Sequence, residues 1–162
     1  MPPSRKARLA AAERIGAELQ QIRSSVTGVV GSITATIDGF LIAQDVPDLE
    51  PTQIAALVAT MQAVALRTTL ATGRGQFRDV VTRGSEGYLA VYAAGRGAIV
   101  AVIGSSELNV GMLNFQARRF IDRIAEHATE YEKQPRATAA ASAASADGTR
   151  PLPVRRPRTQ QN

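Results

Sequence analysis

The amino-acid sequence predicts an α+β domain in the order α-β-β-α-β-β-β-α, with a five-stranded antiparallel sheet sandwiched by helices. Three stretches carry apolar residues at every third or fourth position, which is the period of an amphipathic helix. Between them, short segments of strand-like composition are separated by turns that contain glycine. Because these hairpins alternate with single helices, we expect one layered domain rather than two.

The first helix and the first hairpin are predicted from two different spacings of apolar residues along the sequence. One apolar stripe predicts a helix, and its residues are Leu9, Ala12, Ile15, Leu19, Ile22 and Val26. A period-2 pattern comes next, and its apolar side consists of Val29, Gly31, Ile33, Ala35 and Ile37. Asp38-Gly39 is a strong signal for a tight turn. The segment FLIA that follows is therefore expected to be the second strand of an antiparallel pair.

The second helix is predicted to start at Pro51, whose missing N–H is tolerated in a first turn, and to stop at Gly73. Arg67 is its one charged residue, although a surface helix normally presents a charged face to water. Two faces are therefore expected to be in contact. The residues expected to cover the sheet are Ile54, Leu57, Val58, Met61, Ala65 and Leu70. The residues expected on the second face are Ala56, Ala59, Thr60, Ala63 and Val64.

That second face favours a homodimer in which the helix packs against its symmetry mate. The alternative is a helix buried within a single chain. The strand QFRDVVTR has polar residues on both of its faces, which is typical of an edge strand. Such an edge either faces solvent or pairs with its copy in a second subunit. The predicted dimer interface comprises Met61, Val64, Ala65, Thr68, Phe77, Arg78, Val80 and Thr82.

The rest of the domain is a meander and a last helix. QFRDVVTR, YLAVYAA and AIVAVI are joined by short turns, and Asn109 is expected to cap the helix that follows. Pro135 ends this helix. Its apolar stripe is Val110, Leu113, Ala117, Phe120, Ile121, Ile124, Ala128 and Tyr131.

The charge of the chain is unevenly distributed. Its 162 residues include 19 Lys and Arg and 14 Asp and Glu, for a net charge of +5. Residues 1–8 carry +3 and are expected to be a flexible basic N-terminus, while 9–133 form the domain and carry −2. Residues 134–162 carry +4 and are predicted to be a disordered Ala/Pro/Arg-rich tail. This tail is interpreted as a solubilising segment, with an Arg/Pro docking motif or an electrostatic tether as alternatives.

Catalytic chemistry is not indicated. The chain has no Cys and one His, and it lacks the glycine-lysine loop that cradles phosphates, so we predict no catalytic residues, no metal and no cofactor. Arg67, Arg74 and Arg78 are the candidates for an arginine inserted into a partner's active site. Aromatic residues fall on core-type positions rather than among the basic residues, which argues against specific nucleic-acid binding. The absence of an apolar leader predicts a cytoplasmic protein.

Several segments together resemble a known family. They are TGVVGSITATIDGFLIA, the Ala-rich AALVATMQAVALRTT, the strands QFRDVVTR and YLAVYAAGRGAIVAVI, and LNVGMLNFQARRFIDRI. Over about 22–125 they resemble the roadblock/dynein light chain domain of bacterial, especially actinobacterial, proteins. The resemblance implies a profilin-like sheet with one long helix on one face and two on the other, and homodimerisation through the second helix and third strand. It also implies association with small Ras-like GTPases, as activator, co-activator or scaffold.

In actinobacteria, similar proteins are typically encoded beside a sensor-kinase-like protein, a small partner protein and a GTPase. The predicted function is therefore a non-catalytic homodimeric regulator or scaffold of a small GTPase in a bacterial signalling complex, which reaches a membrane only through its partners. The polar residues of the second helix expected to meet the partner are Gln53, Thr60, Gln62 and Arg67. The alternative is a profilin-like sensor module that binds a small ligand or peptide near Tyr88, Tyr92 and Phe120.

Overall fold

A computed structural model describes residues 5–133 of the chain. The helices are α1 (Arg5–Ser25), α2 (Pro51–Ala71) and α3 (Val110–Glu132). The strands are β1 (Val29–Thr36), β2 (Leu41–Asp45), β3 (Asp79–Gly84), β4 (Gly87–Ala94) and β5 (Ala98–Ser105). The predicted element order is confirmed. The predicted tail at 134–162 lies outside the described residues.

All five strands form one antiparallel sheet in the order β2-β1-β5-β4-β3. The two hairpin units join at its centre, where Thr36 of β1 lies opposite Ala98 of β5. Helices α1 and α3 pack together on one face, and α2 covers the other, so the sheet separates two apolar cores. The predicted sandwich is confirmed, and β3 is an edge strand as its polar pattern indicated.

The larger core lies between the sheet and the α1–α3 pair. Ile15, Leu19 and Ile22 are fully buried in it, together with Leu113 and Ile124 of α3. Asn109 caps α3 as expected, since its side-chain oxygen accepts a hydrogen bond from the backbone N–H of Met112. The periodicity of α1 and α3 therefore identified most of this core correctly.

Two expectations for α1 are wrong. The helix begins at Arg5, so residues 5–8 are helical rather than part of a flexible terminus. The guanidinium of Arg8 lies over the ring of Tyr131, 4.3 Å from its centroid, which ties the first turn of α1 to the end of α3. Leu9 does not join the core but is 56% exposed, and Ala11 is buried instead.

The period-2 pattern of β1 is interrupted near its start. A bulge between Val29 and Gly31 shifts the register against β5, and Val29 consequently joins the core under α1 and α3. Ile33 and Ala35 join the smaller core under α2. Ile37 lies beyond the strand in the hairpin turn and is exposed. The five residues predicted to share one face are therefore divided among both faces and the turn.

The side of α2 that faces the sheet also differs from the prediction. Its buried residues are Ala55, Val58, Ala59 and Gln62. Leu57 and Leu70, which were expected to cover the sheet, are 62% and 60% exposed. Val58 and, at the margin of this core, Ile54 and Met61 do cover the sheet as predicted, whereas Ala59 replaces the two leucines, which point away from the protomer.

The β1–β2 turn lies close against α2, and two features favour glycine there. Gly39 has φ +85°, and a Cβ atom there would lie 3.2 Å from Cα of Ala56. We expect Gly39→Ala to lower the free energy of unfolding by about 2–4 kcal/mol, because an unfavourable backbone conformation and a steric overlap act together.

Gly73→Ala is the matched control. Gly73 also has a positive φ of +67°, but a Cβ atom there would meet nothing within 4 Å. This variant should lose only about 1–2 kcal/mol, the cost of the backbone conformation. Urea denaturation of both variants measures the difference, and equal losses would show that the contact with α2 contributes nothing.

Candidate interaction surface

The outward face of α2 is apolar. Leu57, Val64 and Leu70 are its large exposed side chains, and Val64 at its centre is 61% exposed. The helix is long and apolar enough to cross a membrane by length and composition alone. In the fold, however, one side of it packs on the sheet, so the opposite side is an apolar surface on a folded domain. A helix face of this kind is typical of a protein–protein interface.

Threonine hydroxyls do not make this face polar. The hydroxyls of Thr60, Thr68 and Thr69 donate to backbone carbonyls one turn earlier in α2, at 3.1, 2.9 and 2.8 Å. A hydroxyl that is satisfied inside the helix requires no partner from outside. The face can therefore be buried against another apolar surface without the cost of an unpaired hydroxyl.

Strand β3 lies beside α2 at the edge of the sheet. Val80 and Thr82 lie opposite Val91 and Leu89 of β4, two residues of the core under α2, and so occupy the α2 face of the sheet. Consistent with this, the Thr82 hydroxyl is 3.8 Å from Sδ of Met61. In the part of the chain that the structure describes, β3 pairs only with β4. Its outer edge can accept another strand.

A groove of about 560 Å³ runs between α2 and β3. It brings together six of the eight residues predicted for the dimer interface, namely Met61, Val64, Ala65, Thr68, Phe77 and Val80. Thr60, Thr69 and Asp79 also line it. Thr69 follows Ala65 by one helical turn, and the helical period gave the signal that would have placed it here. Asp79 is the first residue of β3 and follows Phe77 by two positions.

Two of the predicted residues lie elsewhere. Gln62 was expected to meet a partner but is only 8% exposed, because it shares the sheet-facing side of α2 with Val58 and Ala59. Arg78 does not line the groove. It precedes β3, so strand alternation does not apply to it, and it lines a depression on the α3 side with Tyr92. Gln62 is therefore a correction to the predicted site, whereas a place for Arg78 in the dimer interface stays a prediction.

The remaining predicted residues are accessible. Thr82 is exposed next to Met61, and Gln53, Thr60 and Arg67 are exposed on α2. Gln53 and Arg67 lie about 21 Å apart along the helix. Within residues 5–133, Arg67 has no ion pair. An unpaired guanidinium on an apolar surface is available to a partner that offers an acceptor.

The three aromatic residues considered for a ligand site do not share a depression. Tyr92 is buried, and its hydroxyl donates to Oδ1 of Asn114. Burial, together with the charge of Asp79, raises the pKa of Tyr92. Tyr92 lines a depression of about 400 Å³, whereas Phe120 lines another on the α1 side of α3. Tyr88 lies under the guanidinium of Arg83, 5.7 Å from its ring centroid.

Solved structures share this architecture. An MglB protein in a tetrameric arrangement has a TM-score of 0.68 and 22% identity, over 75% of this chain and 93% of that one. A Roadblock/LC7 domain from Streptomyces avermitilis has a TM-score of 0.66 and 18% identity, over 70% and 97%. Profilin IA from Acanthamoeba castellanii has a TM-score of 0.51 and 9% identity, over 70% and 98%.

These likenesses establish the fold. In sequence, no protein of curated function is similar enough to count as a relative. The sequence model of the Roadblock/LC7 domain matches residues 15–104. This range contains the whole of α2, about half of α1 and the whole sheet except the last residue of β5. The chain therefore belongs to the Roadblock/LC7 domain family.

Proposed function

We propose that the protein is a homodimeric regulator or scaffold of a small Ras-like GTPase and supplies no catalytic residues of its own. The observation that carries this proposal is the groove between α2 and β3, where an apolar helix face adjoins an open strand edge. A helix face and a strand edge side by side allow two copies to pair in one symmetric step.

In the proposed dimer, β3 of one protomer pairs with β3 of its partner, which would extend the sheet to ten strands. The outward face of α2 packs against the same face of the partner helix, and alanine and threonine allow a close approach. The tetrameric arrangement of the similar MglB protein supports self-association as a property of this fold. The threonine hydroxyls of α2 are hydrogen-bonded within the helix, which also favours a dimer interface that excludes water.

A small GTPase is proposed as the partner because of the family resemblance. Paired α2 helices would form a platform, and the exposed ends of these helices, with Gln53 and Arg67, would contact the partner. We place the complex in the cytoplasm, with a sensor-kinase-like protein as a further partner and contact with a membrane only through partners.

Titration with purified small Ras-like GTPases from the same organism tests the proposal. Binding is measured by calorimetry against the GDP and GTP forms, and phosphate release is measured over the same range of concentrations. A regulator should prefer one nucleotide state and change turnover. A scaffold should bind without changing turnover. Absence of binding to both forms would contradict the GTPase assignment and would leave the dimer to be tested separately.

Arg67 is the residue we expect to contribute most to partner binding. Replacing Arg67 with Ala should weaken GTPase affinity about fivefold or more, because the free guanidinium is the one charge on the outward face of α2. Arg96→Ala, at an exposed arginine of the β4–β5 turn, is the matched control and should bind normally. Unchanged affinity and turnover with Arg67→Ala would exclude a role for this side chain.

A further inference from the structure

A second groove lies on the opposite face of the sheet from α2. It forms where the C-terminal end of α1 meets the N-terminal half of α3, and it has a volume of about 1000 Å³. We call it the α1–α3 groove. Gln21 and Ser25 line its α1 side, and Phe115, Arg118 and Arg119 line its α3 side. A dimer formed through α2 and β3 would leave it open to solvent in both protomers.

The groove has an apolar anchor point. Phe115 is 78% exposed, more than any other large apolar residue among those described, and Met112 one turn earlier in the helix is exposed as well. Phe120 forms part of the groove wall but is buried. An exposed phenylalanine beside a concave surface offers a large apolar area to a side chain that can enter the groove.

The groove is also cationic. Arg118, Arg119 and Arg123 line it, and no Asp or Glu does. The guanidinium of Arg123 is 2.7 Å from the carboxylate of Glu18, and this hydrogen bond raises the pKa of Arg123, so the guanidinium stays charged and the carboxylate beside it offsets that charge. Arg118 and Arg119 have no ion pair within residues 5–133. Arg118 and Arg119 are thus positive charges without an ion pair, on a domain segment, 9–133, whose net charge is −2, and Arg118 also lines the neighbouring depression with Asp79 and Asp122.

We propose that the α1–α3 groove binds an acidic amphipathic segment of another protein. An apolar side chain of that segment would pack on Phe115, and its carboxylates would accept hydrogen bonds from Arg118 and Arg119. Arginine is suited to this role because its planar guanidinium binds a carboxylate through two parallel N–H donors. Such charge complementarity accelerates association and makes it sensitive to salt.

Charge and shape decide between the possible occupants. The chain's own C-terminal segment carries +4 and would be repelled by the arginines, which excludes it as the preferred ligand. A bilayer surface is broad, whereas the groove is a concavity between two helices that accommodates a narrow chain. This inference concerns a surface separate from the α2–β3 seam and does not depend on the GTPase, so either proposal can fail without the other.

The test begins with selection of random displayed peptides on the full-length protein. Enriched peptides should combine Asp or Glu with an aromatic or aliphatic residue. One enriched peptide is then synthesised with a fluorescent label, and its dissociation constant is measured by anisotropy. The double variant Arg118→Glu, Arg119→Glu should weaken binding about tenfold or more. Phe115→Ala should weaken it independently, and higher salt should weaken binding to the unmodified protein.

Arg96→Glu is the control, since it reverses a charge in the β4–β5 turn, which lies against Ala125 and Glu132 in the C-terminal half of α3 and away from the groove at its N-terminal half. It should bind the peptide as the unmodified protein does. Circular dichroism checks that each variant is folded, and Phe115→Ala provides the decisive measurement if the double charge reversal is unfolded. Because these side chains are exposed, folding should be preserved.

Four results would overturn the inference. Selection could enrich no peptides, or peptides without acidic residues. The variants could bind the acidic peptide as tightly as the unmodified protein. Vesicles containing phosphatidylserine could bind in an Arg118- and Arg119-dependent manner while acidic peptides do not, which would make the groove a membrane contact. Finally, the charge reversal could halve the mass measured by sedimentation, which would make it a contact between copies of this chain.

Discussion

Val64→Asp is expected to abolish the proposed dimer and leave a monomer at micromolar concentration. Val64 lies at the centre of the outward face of α2, and two-fold symmetry would place two new carboxylates in the seam. An unpaired charge buried at an interface costs about 3–5 kcal/mol, which corresponds to a loss of affinity of more than about a hundredfold. Sedimentation equilibrium measures the mass, and thermal unfolding at several protein concentrations measures the coupling of stability to association.

Leu9→Asp is the matched control for this experiment. Leu9 is exposed to a similar extent on another helix, but it lies in α1, away from the proposed seam. Its replacement should leave the mass unchanged. If Val64→Asp remains dimeric, or if the unmodified protein is already monomeric, the seam is not formed by α2.

Leu19→Ala should have the largest effect on stability. Leu19 is fully buried where α1 packs against α3 and the sheet, so its truncation leaves a cavity. We expect the free energy of unfolding to fall by about 2–5 kcal/mol. Urea denaturation followed by circular dichroism measures this loss.

Leu9→Ala provides the comparison within the same helix and the same predicted stripe. Leu9 is more than half exposed, so its truncation should change the free energy of unfolding by no more than about 0.5 kcal/mol. Equal losses for the two variants would show that burial in this structure does not determine the energetics of α1.

The difference between α2 and α3 explains how much of the fold could be predicted from sequence. In α3, charged residues alternate with apolar ones at the helical period, so Leu113, Phe120 and Ile124 were correctly assigned to the core. In α2 the apolar residues lie on all sides of the helix, so the helical period does not indicate which side faces the sheet. Val58 covers the sheet as expected, but Ala55 and Ala59 pack beside it where Leu57 and Leu70 were expected. Only the tertiary packing, with the β1–β2 turn against Ala56, determines this orientation.

The candidate site shows the same limits. The scarcity of charge on α2 and the polar pattern of β3 predicted which two elements meet, and the groove between them contains most of the named residues. Gln62 was misplaced because its polar side chain suggested exposure, although it follows Val58 by one helical turn and therefore lies on the side of α2 that faces the sheet. The α1–α3 groove was missed because Phe115 falls outside the apolar stripe of α3 and becomes conspicuous only when its exposure is known.

The central pairing of β1 with β5 has a consequence for synthesis of the chain. Val29 lies opposite Gly104, so α2, β3 and β4 are all contained in the loop that this pairing closes. Long-range pairing of this kind makes folding slow, and the sheet cannot be completed before β5 has left the ribosome. A nascent chain therefore carries the apolar α2 without a finished sheet to hold it while the 34 residues from the end of α2 to the end of β5 are added. During that interval α2 is the segment most exposed to premature association.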